Sequence, residues 1–134
     1  MTEARVVLRD DRDEVQQLQT SICEKLAEIG YDDSAAFAVR LSLEEALANG
    51  FRHGNRSNPE KSVTVVYRIG VDEVTIAVED EGSGFDPDAV PDPTHEANLE
   101  IPSGRGIMLI RAYMTDVQII PPGNRVEMKF RRPA

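Results

Sequence analysis

Three stretches of this chain carry residues whose types and spacing could do chemistry. Leu41, Glu45, Asn49 and His53 lie four apart in a stretch rich in Ala and Leu. On a helix they would form one slowly drifting stripe. Carboxylate and amide oxygens suit a hard cation, and Mg²⁺ is commonly held by one or two such groups with phosphate oxygens and water. A carboxylate one turn away could take a proton from an attacking hydroxyl. The plainer reading leaves Glu44 and Glu45 in solvent and Asn49 at a fraying helix end. The second stretch is Asp80-Glu81-Gly82-Ser83-Gly84-Phe85. Asp80 shares the phase of Val74, Ile76 and Val78, the buried face of an alternating strand. An acid there is costly unless something hydrogen-bonds it. Gly82 and Gly84 allow a tight turn or a close approach of backbone to a ligand. Asp80 is then either the cap of a hairpin turn or an acid that reads a polar ligand. The third stretch is Ser103-Gly104-Arg105-Gly106, ahead of the apolar Ile107 to Tyr113. Glycines before a helix leave backbone N–H groups free for an anion, and Arg105 adds positive charge.

The elements that must position these residues follow from periodicity. Residues 4–9 read as a first strand. Val15, Leu18, Ile22, Leu26 and Ile29 mark one face of a helix, with Asp10 or Asp11 as cap and Gly30 as terminator. Asp32 and Asp33 cap a second helix predicted to run to about Arg52, with Phe37, Leu41, Leu43, Ala46, Leu47 and Phe51 as its apolar surface. Gly54 is expected to end it in the left-handed conformation. Residues 62–69 and 73–80 alternate as an antiparallel hairpin. Residues 86–103 are crowded with Asp and Pro and show no sustained period, which reads as a functional lid. Ile107 to Tyr113 is a third helix, and residues 116–120 and 125–131 are the last strands, joined by Pro121-Pro122-Gly123-Asn124. The order β, α, α, β, β, lid, α, β, β predicts an α+β two-layer sandwich, a mixed, mostly antiparallel sheet with helices on one face.

Bulk properties exclude several classes. The 134 residues fit a single domain with its own core. A net charge of −9 argues against direct nucleic-acid binding, which needs clustered Lys and Arg. The one cysteine, Cys23, allows no internal disulfide and reads as a packed residue in a reducing, cytoplasmic setting. No apolar run is long enough to span a membrane, and no signal peptide is evident. The phosphate-binding loop G-x-x-x-x-G-K-[ST] is absent, as is a dinucleotide fingerprint after the first strand. The three stretches together would read a base, hold a metal and cradle phosphate by another route.

In that order they resemble a known family. Glu45-Ala-Leu-Ala-Asn49-Gly-Phe-Arg-His53-Gly54 resembles the N box of the GHKL (Bergerat-fold) ATPases and kinases. Asp80 to Gly84 is similar to their first glycine box, and Ser103 to Ile107 to their second. The likeness runs from about Asp32 to Phe130 with a lid between the glycine boxes. No single box is specific; three in order are. Within that superfamily the chain resembles the bacterial anti-sigma-factor serine/threonine-protein kinases, in its size, in the E-x-x-x-N-x-x-x-H-G form of the N box and in the passage from Ile107 to Val117.

The resemblance implies a cytoplasmic ATP- and Mg²⁺-dependent kinase, residues 1–134 forming one domain. It would sequester a sigma factor and phosphorylate a serine of an anti-anti-sigma (STAS-type) partner, as a homodimer. Asp80 would accept a hydrogen bond from the adenine amino group, and Gly82 and Gly84 would let the chain pass close to the nucleotide. Asn49 would ligate Mg²⁺, Glu45 would be the general base, and Gly104, Arg105 and Gly106 would bind phosphate. Arg52 is a further candidate for phosphate, and His53 reads as a helix-end residue. The family often carries Gly-Thr before its last strand, where this chain has Gly123-Asn124. The alternative is a non-catalytic, nucleotide-binding anti-sigma regulator that works by partner switching. A detached sensor-kinase domain would need a phospho-accepting histidine on a dimerisation helix, whereas His53 and His95 are the only histidines.

Overall fold

The alternation seen in the sequence becomes a five-stranded sheet. The computed structural model describes residues 2–82 and 104–133. Strands β1 (Thr2–Leu8), β2 (Val63–Ile69), β3 (Glu73–Asp80), β4 (Asp116–Ile120) and β5 (Arg125–Arg131) lie in the order β1-β2-β3-β5-β4. Among the described residues every neighbouring pair is antiparallel, where the sequence suggested a mixed, mostly antiparallel sheet. Short links between β2 and β3 and between β4 and β5 favour hairpins, and antiparallel pairing needs no crossover.

Helices α1 (Arg12–Ile29), α2 (Asp33–Asn49) and α3 (Gly104–Tyr113) cover one face. Val63, Val65, Val74, Ile76 and Val78 point into the layer between, with Leu26, Val39, Leu43 and Ile110 from the helices. The opposite face is charged. Arg125 pairs there with Glu127 at 3.0 Å and with Glu79 at 3.9 Å, and Lys129 with Glu73 at 3.7 Å. A shallow groove of about 370 Å³ crosses that outer face over Val66, Ala77 and Arg125, away from the stretches singled out above.

Capping sets the helix limits. The Asp11 carboxylate accepts from the N–H groups of Asp13 and Glu14, at 2.8 and 3.3 Å, and Gly30 closes α1 with φ of 100°. Asp32 accepts from the Ala35 N–H at 2.8 Å to start α2. Phe37 departs from the expected core: it is 55% exposed and meets Tyr113 edge-on at 5.6 Å.

The end of α2 also differs from expectation. The α-helix stops at Asn49, and a π-helical turn follows over Gly50–Gly54, in which the Asn55 N–H donates to the Gly50 carbonyl at 2.8 Å. Gly54 is not left-handed. Positive φ falls instead on Arg56 and Ser57, at 53° and 56°. The reason for a glycine at 54 lies in its neighbours. Helix α3 likewise begins at Gly104, so the glycine cluster forms its first turn rather than preceding it.

Candidate functional site

The site is built where the end of α2, the end of β3 and the start of α3 converge. β3 carries Asp80 one step beyond Val78, in the same phase, and so leaves a half-buried carboxylate at the inner edge of the sheet. Its Oδ1 accepts the Gly82 N–H at 2.7 Å, which turns the chain back over the acid. A Cβ on Gly54 would lie 2.1 to 2.4 Å from the carboxylate atoms of Asp80, and one on Gly82 would lie 2.1 Å from the Gly54 carbonyl oxygen. These two glycines are therefore required by contact, with no part played by positive φ. Gly50 fits the same contact: a Cβ there would stand 3.1 Å from Val63 Cγ2 and 3.6 Å from Asp80 Cβ.

The Asp80 main chain is held from the other side. Its N–H donates to the Asn124 carbonyl at 2.9 Å, and Asn124 Nδ2 donates to the Asp80 carbonyl at 3.1 Å. Asn124, which stands where the resembled family often has threonine, thus clasps the main chain of the acid. Burial pushes the Asp80 carboxyl above the ordinary carboxylate value, the Gly82 N–H pulls it down, Glu79 adds to the rise, and Lys61 opposes it.

Asn49 reaches the second glycine cluster. A Cβ on Gly106 would lie 2.9 Å from Asn49 Nδ2 and 3.4 Å from Oδ1. Asn49 Nδ2 is buried without a hydrogen-bond partner among the described residues. A buried amide with an unused N–H donor, set against the N-terminal turn of a helix, suits an anionic ligand. Glu45 is half-buried one turn earlier on the same helix, about 6 Å along the axis. His53 is half-buried and Arg52 exposed. Gly104 and Arg105 open α3; the Arg105 side chain, Gly84 and residues 86–103, expected from sequence to be a lid, lie outside the described residues. Among the described residues no group of three or more His, Cys, Asp or Glu gathers as a metal centre.

Sequence reasoning missed Asn55. It is 1% exposed, its Nδ2 donates to the Ser62 carbonyl at 2.9 Å, and its Oδ1 accepts the Glu81 N–H at 2.8 Å. Asn beside a helix-ending glycine reads by default as part of the cap, which hid this bridge. Its link to residues 62 and 81 is non-local, and no periodicity reports it.

An α+β sandwich with an acid-and-glycine turn at a strand end and a helix-borne Glu and Asn under a glycine-rich helix start defines a class of ATP-binding domain. The chain belongs to the histidine kinase-like ATPase domain family, whose model matches residues 8–130. Among curated proteins it is similar to the anti-sigma F factor of Oceanobacillus iheyensis, 30% identical over 61% of this chain and 58% of that protein. It is also similar to the serine-protein kinase RsbW of Listeria monocytogenes, 26% identical over 67% of this chain and 61% of that one. The chain thus spans about three fifths of the length of the curated relatives it matches. Among solved structures, the RsbU and RsbW domains of Rv1364c from Mycobacterium tuberculosis share the fold. The TM-score is 0.65 at 18% identity, covering 100% of this chain and 34% of that one. No helix among the described residues is long and apolar enough to cross a membrane.

Two outcomes test this geometry. Gly54→Ala places a methyl group inside the Asp80 carboxylate, and overpacking of this kind costs about 1–3 kcal/mol. Urea denaturation should show that loss, and calorimetry should show weakened ATP binding; wild-type values for both would contradict the contact. The pH dependence of Asp80 gives the second. Its folded carboxyl titrates above the unfolded value, so its contribution is fully present below the unfolded value and is lost as pH rises through the folded one. Asp80→Asn, which carries no charge, should therefore melt higher than wild type near neutral pH. The gap should close as pH falls through the raised Asp80 range. A variant that melts lower at neutral pH would contradict the burial cost.

Proposed function

We propose that this domain binds ATP with Mg²⁺ and transfers the γ-phosphoryl group to a serine of a protein partner, within an anti-sigma partner-switching system. The observation that carries this reading is the convergence of the three motifs: Asn49 packs on Gly106, while Gly54 and Gly82 pack on Asp80. The relatives named anti-sigma F factor and serine-protein kinase support the same reading. By it, the partners are a sigma factor, an anti-anti-sigma protein and a second copy of this chain.

The base-reading role falls to Asp80. Its Oδ1 is engaged by Gly82, so the Oδ2 side is the one to accept a hydrogen bond from the adenine amino group. Gly82 keeps the turn thin enough for the base to approach. Asn49 would hold Mg²⁺ through its amide oxygen, and the oxygen donors here suit a hard cation that brings phosphate and water ligands with it. When bound, that ion neutralises charge on the phosphates. Gly104, Arg105 and Gly106 would bind phosphate at the first turn of α3, since a helix N-terminus favours anions. Glu45 aligns the acceptor hydroxyl and takes its proton. Phosphoryl transfer asks mainly for such positioning and charge neutralisation.

Phosphate transfer from labelled ATP to the partner separates these roles. Glu45→Ala should slow transfer by about 10²–10⁴-fold while ATP affinity stays near wild type. Asp80→Ala should weaken ATP binding by roughly tenfold or more, the loss of one hydrogen bond to a charged group. ATP binding without any transfer by the wild-type protein would instead favour a nucleotide-responsive binder.

A further inference from the structure

Asn55 has no place in the scheme above, yet it is one of the most buried polar side chains in the described residues, at 1% exposure. Its amide has two committed partners. Nδ2 donates to the Ser62 carbonyl at 2.9 Å, and Oδ1 accepts from the Glu81 N–H at 2.8 Å. The Glu81 side chain returns to the same place, accepting the Ser62 N–H at 2.6 Å. Glu81 lies between Asp80 and Gly82, whose N–H holds the Asp80 carboxylate at 2.7 Å. The middle residue of the acidic turn, Glu81, is thus tied by its N–H to a buried amide that follows directly on Gly54. The chain after Asn55 then takes positive φ at Arg56 and Ser57, a costly conformation for side chains other than glycine. A loop shaped this way around a side chain that grips the acidic turn points beyond simple loop closure.

We propose that Asn55 is a positioning residue for base selection: it sets where the Asp80 carboxylate stands and so determines the preference of the site for a purine bearing a 6-amino group. The inference rests on the reading of Asp80 as the acceptor for that amino group. Without Asn55 the Glu81 N–H and the Ser62 carbonyl lose their partner, and the turn beyond Asp80 is held only by the Glu81 carboxylate on Ser62, while Asn124 keeps the Asp80 main chain. A base that donates to Asp80 loses the benefit of a fixed acceptor, while one that presents a carbonyl there is no longer rejected. The triphosphate contacts, on other elements, are unaffected.

The experiment compares ATP with inosine triphosphate, which has a carbonyl in place of the amino group, by calorimetry on the full chain. Wild type should prefer ATP by a factor on the order of 10², since the carbonyl analogue loses one hydrogen bond to a charged group. Asp80→Ala should bring the two near parity. Asn55→Ala should narrow the preference by about tenfold, mainly by weakening ATP. Asn55→Leu removes both bonds at similar volume and should behave the same way if the alanine variant does not fold. Equal weakening of both nucleotides, with the ratio unchanged in either variant, would make Asn55 a purely structural residue and overturn the proposal. No preference in wild type, or one that survives Asp80→Ala, would instead overturn the reading of Asp80 beneath it.

Discussion

The site depends on one costly placement: a carboxylate at the inner, half-buried edge of a sheet, with backbone pressed against it. Strand phase puts Asp80 there, because the same face that buries Val74, Ile76 and Val78 continues by one more step. An ionised acid in such surroundings is unfavourable without partners. The fold supplies one, the Gly82 N–H on its carboxylate, and Asn124 holds the N–H and the carbonyl of the Asp80 main chain. Gly54 and Gly82 lack Cβ atoms for the same reason. Side chains at either position would occupy the volume of the acid or of the chain that covers it.

The rest of the architecture serves this contact. Helix α2 lies against the sheet through fully buried Val39 and Leu43, and it delivers both Asn49 and, through its terminal π-helical turn, Gly54 to the same region. Such turns often occur at functional sites. Here it replaces a left-handed helix end, and the positive φ that an ordinary cap would have used appears two residues later, at Arg56 and Ser57. The start of α3 then closes over Asn49 through Gly106. Adenine reading, metal holding and phosphate binding would thus share a single framework.

Much of this was legible in the sequence, for identifiable reasons. Period-two and period-four patterns report burial directly, so the five strands and three helices among the described residues were read to within a few residues, with Asp80 on the buried face of β3 and Glu45 and Asn49 on α2. What stayed hidden was contact between residues distant in sequence. Gly54 read as a helix terminator because glycine there has a common local explanation; its real neighbour is Asp80, on another element. Asn124 read only as a departure from the family's threonine, because the fold alone shows that it clasps the Asp80 backbone. Asn55 was concealed by the same default. Phe37 fits the apolar pattern of α2 yet lies outside, against Tyr113, since periodicity marks a face without saying how wide a strip of it is covered.

Asp80, pressed by Gly54, bonded by Gly82 and clasped by Asn124, is the acceptor proposed to select the nucleotide base. A crystal structure of the protein with Mg²⁺ and a non-hydrolysable ATP analogue tests it most directly. The account predicts the adenine amino nitrogen about 2.7–3.2 Å from an Asp80 carboxylate oxygen, the range of an N–H···O hydrogen bond, with the phosphates over Asn49 and the first turn of α3. A base seated elsewhere, or turned with its amino group away from Asp80, would contradict it.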